Sequence, residues 1–198
     1  AIADVESLIG QKKRGYRILF IGTSQTLGVG AARLTDTFFV RVHDSLVRSG
    51  RPIESLNIAV AGSDSAALLE DYLRDYAGFR PDLVIINLSS NDPDPKKLRA
   101  SLTMFLTINR AQGIRTILLK EAHSNEKRYS ERFAANHKIM DEMSDRFGVP
   151  VLDLHAFLNR PEIFRTGYLW WDFVHLTSYG QAVVAQWLYP QIAVYLAP

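Results

Sequence analysis

The chain has 198 residues, of which 47% are hydrophobic and 22% are charged, values typical of one folded domain and not of a disordered or fibrous chain. The formal net charge is only +2, and the single basic cluster, at positions 12–14, is too short for a nucleic-acid-binding surface. The absence of cysteine excludes thiol nucleophiles and thiolate metal sites, and no stretch is apolar enough to span a membrane. We therefore expect one domain over 1–198, with a lead-in segment at 1–15, that uses oxygen and nitrogen chemistry.

Five short apolar segments recur along the chain. They are rich in Ile, Val and Leu and show no strict alternation of polar and apolar residues, a pattern typical of parallel strands covered by helices on both faces. The predicted strands lie at 16–21, 55–60, 82–88, 116–120 and 149–154. The sequence thus predicts an α/β fold around a parallel sheet.

Longer amphipathic segments between the strands predict helices. One covers 31–48 and is followed by Gly50 as a stop signal; its apolar stripe consists of Leu34, Phe38, Val42 and Leu46. A second covers 126–147, with a stripe of Tyr129, Phe133, Met140, Met143 and Phe147. A last helix begins near Ser178, which has capping-box spacing to Gln181, and bends or ends before Pro190. We interpret both stripes as core packing.

The turn after the first strand, at 22–30, contains three glycines and precedes a helix. It does not match a phosphate-binding loop, because Val29 follows Gly28 where a lysine is needed, and Arg33 breaks the dinucleotide fingerprint. One interpretation is that the glycines only turn the chain. The other is that Ser24 presents its hydroxyl to a cleft, with its own N–H near a helix start available to a developing anion.

A serine nucleophile needs a base, and the sequence contains five histidines. His175 has an obvious partner, because Asp172 precedes it by about one turn and can accept a hydrogen bond from Nδ1 while Nε2 points towards Ser24. His123 follows the fourth strand and is the rival base. The others are His43 and His137, within predicted helices, and His155, after the fifth strand.

Two further segments offer donors for an oxyanion. Gly62 follows the second strand and can present a backbone N–H without a side chain in the way. Asn91 follows the third strand and carries two amide N–H groups. Each also fits a simple turn. Because functional loops of a parallel sheet lie at the carboxyl ends of its strands, we expect these donors and Ser24 to share one edge.

Together, the four segments resemble those of the SGNH hydrolases, also called GDSL-type esterases and lipases, in order and spacing over 16–190. The resemblance implies that Ser24 is the nucleophile, that His175 is the general base and that Asp172 orients it. It implies an oxyanion hole formed by Ser24, Gly62 and Asn91. It also implies a flavodoxin-like three-layer α/β/α sandwich, whose five-stranded parallel sheet has the order 2-1-3-4-5.

Two positions depart from the family pattern. The Gly-Asp-Ser-Leu opening is Gly-Thr-Ser-Gln at 22–25, so Thr23 replaces a carboxylate that does not itself react. The block usually written Gly-x-Asn-Asp has Ser89 in place of its glycine, which adds a Cβ to the loop that aims Asn91. Neither change removes a reacting group.

The resemblance implies a serine hydrolase that cleaves carboxylic esters through an acyl-enzyme, without a metal or other cofactor. The compact chain favours short-acyl esters, including acetyl groups on carbohydrates, as substrates. Candidate pocket residues are Thr23, Gln25, Leu27, His123, Trp171 and Val174. Two alternatives remain open: an O-acyltransferase with the same triad, and a non-catalytic module that binds a carbohydrate or a protein partner.

Overall fold

The computed structural model describes residues 12–124, 126–164 and 168–196. Within them, five parallel strands form one sheet in the order β2-β1-β3-β4-β5. The strands are β1 (Tyr16–Gly22), β2 (Ile53–Asn57), β3 (Leu83–Leu88), β4 (Arg115–Lys120) and β5 (Val151–Asp153). This order and the all-parallel pairing confirm the predicted fold class. Most of the predicted lead-in segment, up to position 11, lies outside the described residues.

Helices cover both faces of the sheet. They are α1 (Ser24–Leu27), α2 (Phe38–Arg48), α3 (Ser65–Asp71), α4 (Pro95–Ala111), α5 (Glu126–Phe147), α6 (Leu154–Leu158), α7 (Pro161–Phe164) and α8 (Ser178–Ala193). Successive strand residues point to opposite faces, so Phe20 packs in the core beneath α2 and α8, whereas Ile21 packs in the core beneath α3, α4 and α5. No helix of the described residues is long and apolar enough to cross a membrane.

β3 is buried at every position, as a central strand must be.

The strands end earlier or later than the apolar pattern indicates. The second predicted strand, at 55–60, ends at Asn57 in the structure. The chain still follows β1 beyond this point, because the N–H groups of Ile58 and Val60 donate to the carbonyls of Phe20 and Gly22 at 2.9 and 3.1 Å. The segment after β2 is thereby held beside the end of β1.

The helix predicted at 31–48 begins later, at Phe38. Thr37 caps it, since its Oγ1 accepts the N–H of Val40 at 3.4 Å. Leu34 lies in a separate 3₁₀ turn and is exposed, whereas the other three residues of the predicted stripe are fully buried. The start was predicted wrongly because apolar spacing continues across the cap without a visible break.

The last helix also differs in detail. Thr177, and not Ser178, caps α8, because its Oγ1 accepts the N–H of Gly180 at 3.2 Å. Gln181 is fully buried and does not form the predicted capping box. The helix continues through Pro190, so of the two expected outcomes, a bend or an end before Pro190, the end is wrong. α5 has the predicted bounds, and its Phe133, Met140 and Met143 are buried, while the side chain of Tyr129 lies outside the described part of the chain.

Candidate active site

Ser24 lies at the turn between β1 and α1. The turn is sharp: a Cβ at position 22 would lie 2.1 Å from Oγ1 of Thr26, so Gly22 is required there. Gly28 ends α1 with φ at +90°, and its N–H donates to the Ser24 carbonyl at 3.1 Å. These constraints leave Ser24 as a partly exposed residue at the carboxyl edge of the sheet.

A chain of hydrogen bonds joins Ser24, His175 and Asp172. Nε2 of His175 lies 2.9 Å from Oγ of Ser24, and Nδ1 lies 2.7 Å from Oδ2 of Asp172. Since the carboxylate can only accept, Nδ1 carries the proton in neutral His175, and Nε2 is left to accept the serine O–H. The imidazole is therefore oriented to remove a proton from Ser24.

Asp172 also shapes the loop that carries His175. Its Oδ1 accepts the N–H groups of Val174 and His175 at 2.8 and 2.7 Å. The N–H of Trp171 donates to the carbonyl of His175 at 2.8 Å and closes the loop. Burial alone would raise the pKa of Asp172, but these N–H donors and the imidazole outweigh it and hold the pKa below its usual range.

The two predicted oxyanion donors lie on neighbouring loops of the same edge. Gly62 is exposed, with φ at +80° and open space where a Cβ would be. Nδ2 of Asn91 donates one N–H to the carbonyl of Ser63 at 3.1 Å, which orients the amide and leaves its second N–H for another acceptor. Ser89, in the position of the family's glycine, has φ at +153° and is fully buried.

Three of the predicted pocket residues lie in the interior. Thr23 is 0% exposed and Gln25 is 2% exposed; the Gln25 amide bonds the backbone C=O and N–H of Ala122 at 2.6 and 3.0 Å. His123 is also buried, and its ring packs against Phe133 and Phe173. We therefore correct the prediction that Thr23, Gln25 and His123 line a substrate pocket.

The other pocket candidates remain at the surface. Leu27 and Val174 are partly or largely exposed, and Trp171 is 72% exposed beside Asp172. Glu121, which follows β4, was not predicted from the sequence. It is fully buried, and its carboxyl group accepts a hydrogen bond from Thr23, the residue before Ser24. Among the described residues, no group of three or more His, Asp or Glu side chains is arranged to hold a metal ion.

The sequence of the chain is similar to that of a known protein family over most of its length. The sequence matches the model of the GDSL-like Lipase/Acylhydrolase family over residues 20–183. The chain belongs to the GDSL-like lipase/acylhydrolase family. This confirms the resemblance predicted from the four segments and the esterase class that it implied. No curated protein sequence matches this family member.

Solved structures share the fold of this acylhydrolase. TesA is 19% identical, with a TM-score of 0.77, and the match covers 90% of this chain and 99% of that one. The acetyl xylan esterase AlAXEase is 20% identical, with a TM-score of 0.76 and coverage of 89% and 99%. A lipase/acylhydrolase from Enterococcus faecalis is 18% identical, with a TM-score of 0.74 and coverage of 89% and 95%.

Proposed function

We propose that the protein hydrolyses carboxylic esters with Ser24 as nucleophile, His175 as general base and Asp172 as the group that orients the base. The observation that carries this proposal is the hydrogen-bonded chain from Ser24 Oγ through both nitrogens of His175 to Asp172, at 2.9 and 2.7 Å. Membership of an acylhydrolase family supports the same reaction class.

The reaction starts when Nε2 of His175 takes the proton of Ser24 as Oγ attacks the ester carbonyl. The imidazolium that forms is stabilised by Asp172, whose lowered pKa keeps it ionised. His175 then gives the proton to the leaving alkoxide, and the C–O bond to the alcohol breaks. Water, deprotonated by the same imidazole, attacks the acyl-enzyme. The bond between the acyl carbon and Ser24 Oγ then breaks, His175 returns the proton to Oγ, and the acid is released.

Three N–H groups are proposed to hold the oxyanion. They belong to the backbone of Ser24 and Gly62 and to the side chain of Asn91, whose second amide N–H is left by its bond to Ser63. Such donors stabilise the charge that develops in the transition state, and each typically contributes roughly 2.7–4 kcal/mol.

Short-acyl esters, including acetylated carbohydrates, are the proposed substrates. Trp171 immediately precedes Asp172 in the same loop and is 72% exposed, and an exposed aromatic face suits a sugar ring. Acetyl xylan esterases are among the solved structures that share this fold, which is consistent with an acetyl substrate.

The test is the hydrolysis of p-nitrophenyl acetate by the wild type, Ser24→Ala and His175→Ala. We expect both variants to lose about a thousandfold or more in kcat, because each removes a reacting group. Ser45→Ala is the matched control: its hydroxyl donates to the Arg41 carbonyl within α2. A wild-type rate no higher than that of Ser24→Ala would contradict the proposal and favour a binding module. Acyl transfer to an added sugar in preference to water would favour an O-acyltransferase.

A further inference from the structure

Glu121 is a buried acid at the carboxyl edge of the sheet. It directly follows β4 and is 0% exposed. A carboxyl group loses the solvation of water when it is buried, so it is retained in such a place only where neighbouring donors replace that solvation. The partners of this carboxyl lie on two loops of the proposed active site.

Each carboxyl oxygen of Glu121 bonds a different loop. Oε1 accepts the hydroxyl of Thr23, and Oε2 accepts the backbone N–H of Ser90 at 2.6 Å. Thr23 immediately precedes Ser24, and Ser90 immediately precedes Asn91. One side chain therefore bridges the residues next to the proposed nucleophile and the proposed oxyanion donor.

The backbone around Glu121 is itself held in place. Nε2 of His137, on α5, lies 3.1 Å from the Glu121 carbonyl oxygen. The next residue, Ala122, bonds the Gln25 amide through both its N–H and its C=O. The turn that carries Ser24 is thus attached to the end of β4 on both sides of the serine, through Thr23 and Gln25.

We infer that Glu121 is a positioning residue that sets the distance and angle between Ser24 and Asn91. This inference rests on the proposed ester hydrolysis, in which both residues must meet one tetrahedral intermediate. Oxyanion donors work within about 2.7–3.1 Å of the oxygen, and a displacement of about 1 Å can cost a hundredfold in rate. A bridge one residue away from each group controls such displacements without contacting the substrate.

The first test compares Glu121→Ala with Glu121→Gln. Titration with a fluorophosphonate counts the reactive sites, so kcat for p-nitrophenyl acetate is expressed per titrated site and any misfolded fraction is excluded. We expect Glu121→Ala to lose about tenfold or more in this kcat, with KM within about threefold of the wild type. Glu121→Gln should retain more activity, because its amide can accept from Ser90 and donate to the Thr23 hydroxyl.

A second pair of variants tests the same bridge by changing Thr23, the hydroxyl donor to Glu121. Thr23→Val keeps the shape of the buried residue and removes its hydroxyl, so kcat per titrated site should fall severalfold. Thr23→Ser keeps the hydroxyl donor and should have a kcat per titrated site close to that of the wild type. Glu54→Gln is the matched control, because Glu54 accepts from Arg17 at 2.6 Å near the start of β1, at the opposite end of the sheet. It should lower thermal stability and leave kcat unchanged.

The outcomes separate this inference from the proposed function. An inactive wild type would overturn both. An active wild type with Glu121→Ala and Thr23→Val unchanged in kcat per titrated site would overturn the bridge alone, even if both variants were less stable. Equal losses in Glu121→Ala and Glu121→Gln would also overturn it, because an amide can make both bonds.

Discussion

At the scale of single residues, Asp172 combines two functions in one carboxylate. Oδ1 fixes the backbone of the loop through two N–H groups, and Oδ2 fixes the imidazole of His175. The same contacts lower the pKa of Asp172 against the opposing effect of burial, so a carboxylate, and not a neutral carboxyl group, faces the imidazole. The loop conformation and the orientation of the His175 imidazole therefore depend on one side chain.

Asn91 provides a prediction at this scale. Asn91→Ala should lower kcat for p-nitrophenyl acetate by about a hundredfold, because one oxyanion donor is lost, and should leave the labelling stoichiometry with a fluorophosphonate unchanged. Asn159→Ala is the control, since this asparagine lies after β5 and donates to the His155 carbonyl at 2.9 Å. Equal kcat values for Asn91→Ala and the wild type would exclude the amide from the oxyanion hole.

Ser24, His175 and Asp172 could be proposed from the sequence because each lies in a short local pattern at a strand end or a helix start, and in the structure their side chains are within hydrogen-bond distance. Glu121 could not, because it meets Thr23 across 98 positions of the chain and nothing local marks either residue as a partner. The long distance in sequence between Thr23 or Gln25 and their buried partners also explains why the prediction that they line the pocket is wrong. Their sequence neighbour Ser24 is partly exposed, and only the folded chain shows that both flanking side chains are buried.

At the scale of elements, α5 is fastened to the end of β4 through a buried histidine. Nε2 of His137 meets the Glu121 carbonyl oxygen at 3.1 Å. Burial lowers the pKa of His137 to about 4; the carboxylate of Asp153 opposes this shift, and His155 and Lys120 reinforce it. The helix is thus docked by an imidazole that is neutral at neutral pH.

The lowered pKa of His137 predicts how the free energy of unfolding depends on pH. Below the ordinary histidine pKa the unfolded chain binds a proton at His137 that the folded chain does not bind until about pH 4. The free energy of unfolding should therefore fall as pH falls from about 6.5 to about 4, with His137 accounting for at most about 3 kcal/mol. Urea unfolding of the wild type and His137→Gln at both pH values measures this difference.

The comparison cancels the contribution of carboxyl groups, which both proteins share. The glutamine amide can still donate to the Glu121 carbonyl but does not titrate. The variant should lose less stability on acidification than the wild type, and parallel losses in the two proteins would contradict a buried neutral His137.

Helix and strand interiors followed from apolar spacing, whereas their ends did not. Phe38, Val42 and Leu46 of α2 recur with helical spacing and are buried, as predicted. The same holds for Phe133, Met140 and Met143 of α5. The starts of α2 and α8 depend on single hydroxyls, those of Thr37 and Thr177, and on which of several neighbouring polar residues turns towards a free N–H. Spacing carries no information on that choice.

At the scale of the whole molecule, the sheet order 2-1-3-4-5 was expected from the family resemblance, and the structure has that order. The segments that follow β2 and β3 at the carboxyl edge are short, since α3 begins at Ser65 and α4 begins at Pro95. A site bounded by such segments has little apolar surface for a long acyl chain.

We therefore predict a preference for short acyl groups. The value of kcat/KM should be at least about tenfold higher for p-nitrophenyl acetate than for p-nitrophenyl laurate, because most of the laurate chain would remain in water and gain no apolar burial. Both esters are assayed below their solubility limits with the wild type and Ser24→Ala. A higher kcat/KM for laurate would contradict the short-acyl substrate class.

The central claim is that Ser24 is the nucleophile activated by His175. The most direct measurement is reaction with a fluorophosphonate followed by peptide mass mapping of the wild type, Ser24→Ala and His175→Ala. We predict one adduct per chain, located at Ser24, which is absent in Ser24→Ala and forms much more slowly in His175→Ala. An adduct on another serine, or equal labelling rates in the wild type and His175→Ala, would contradict the claim.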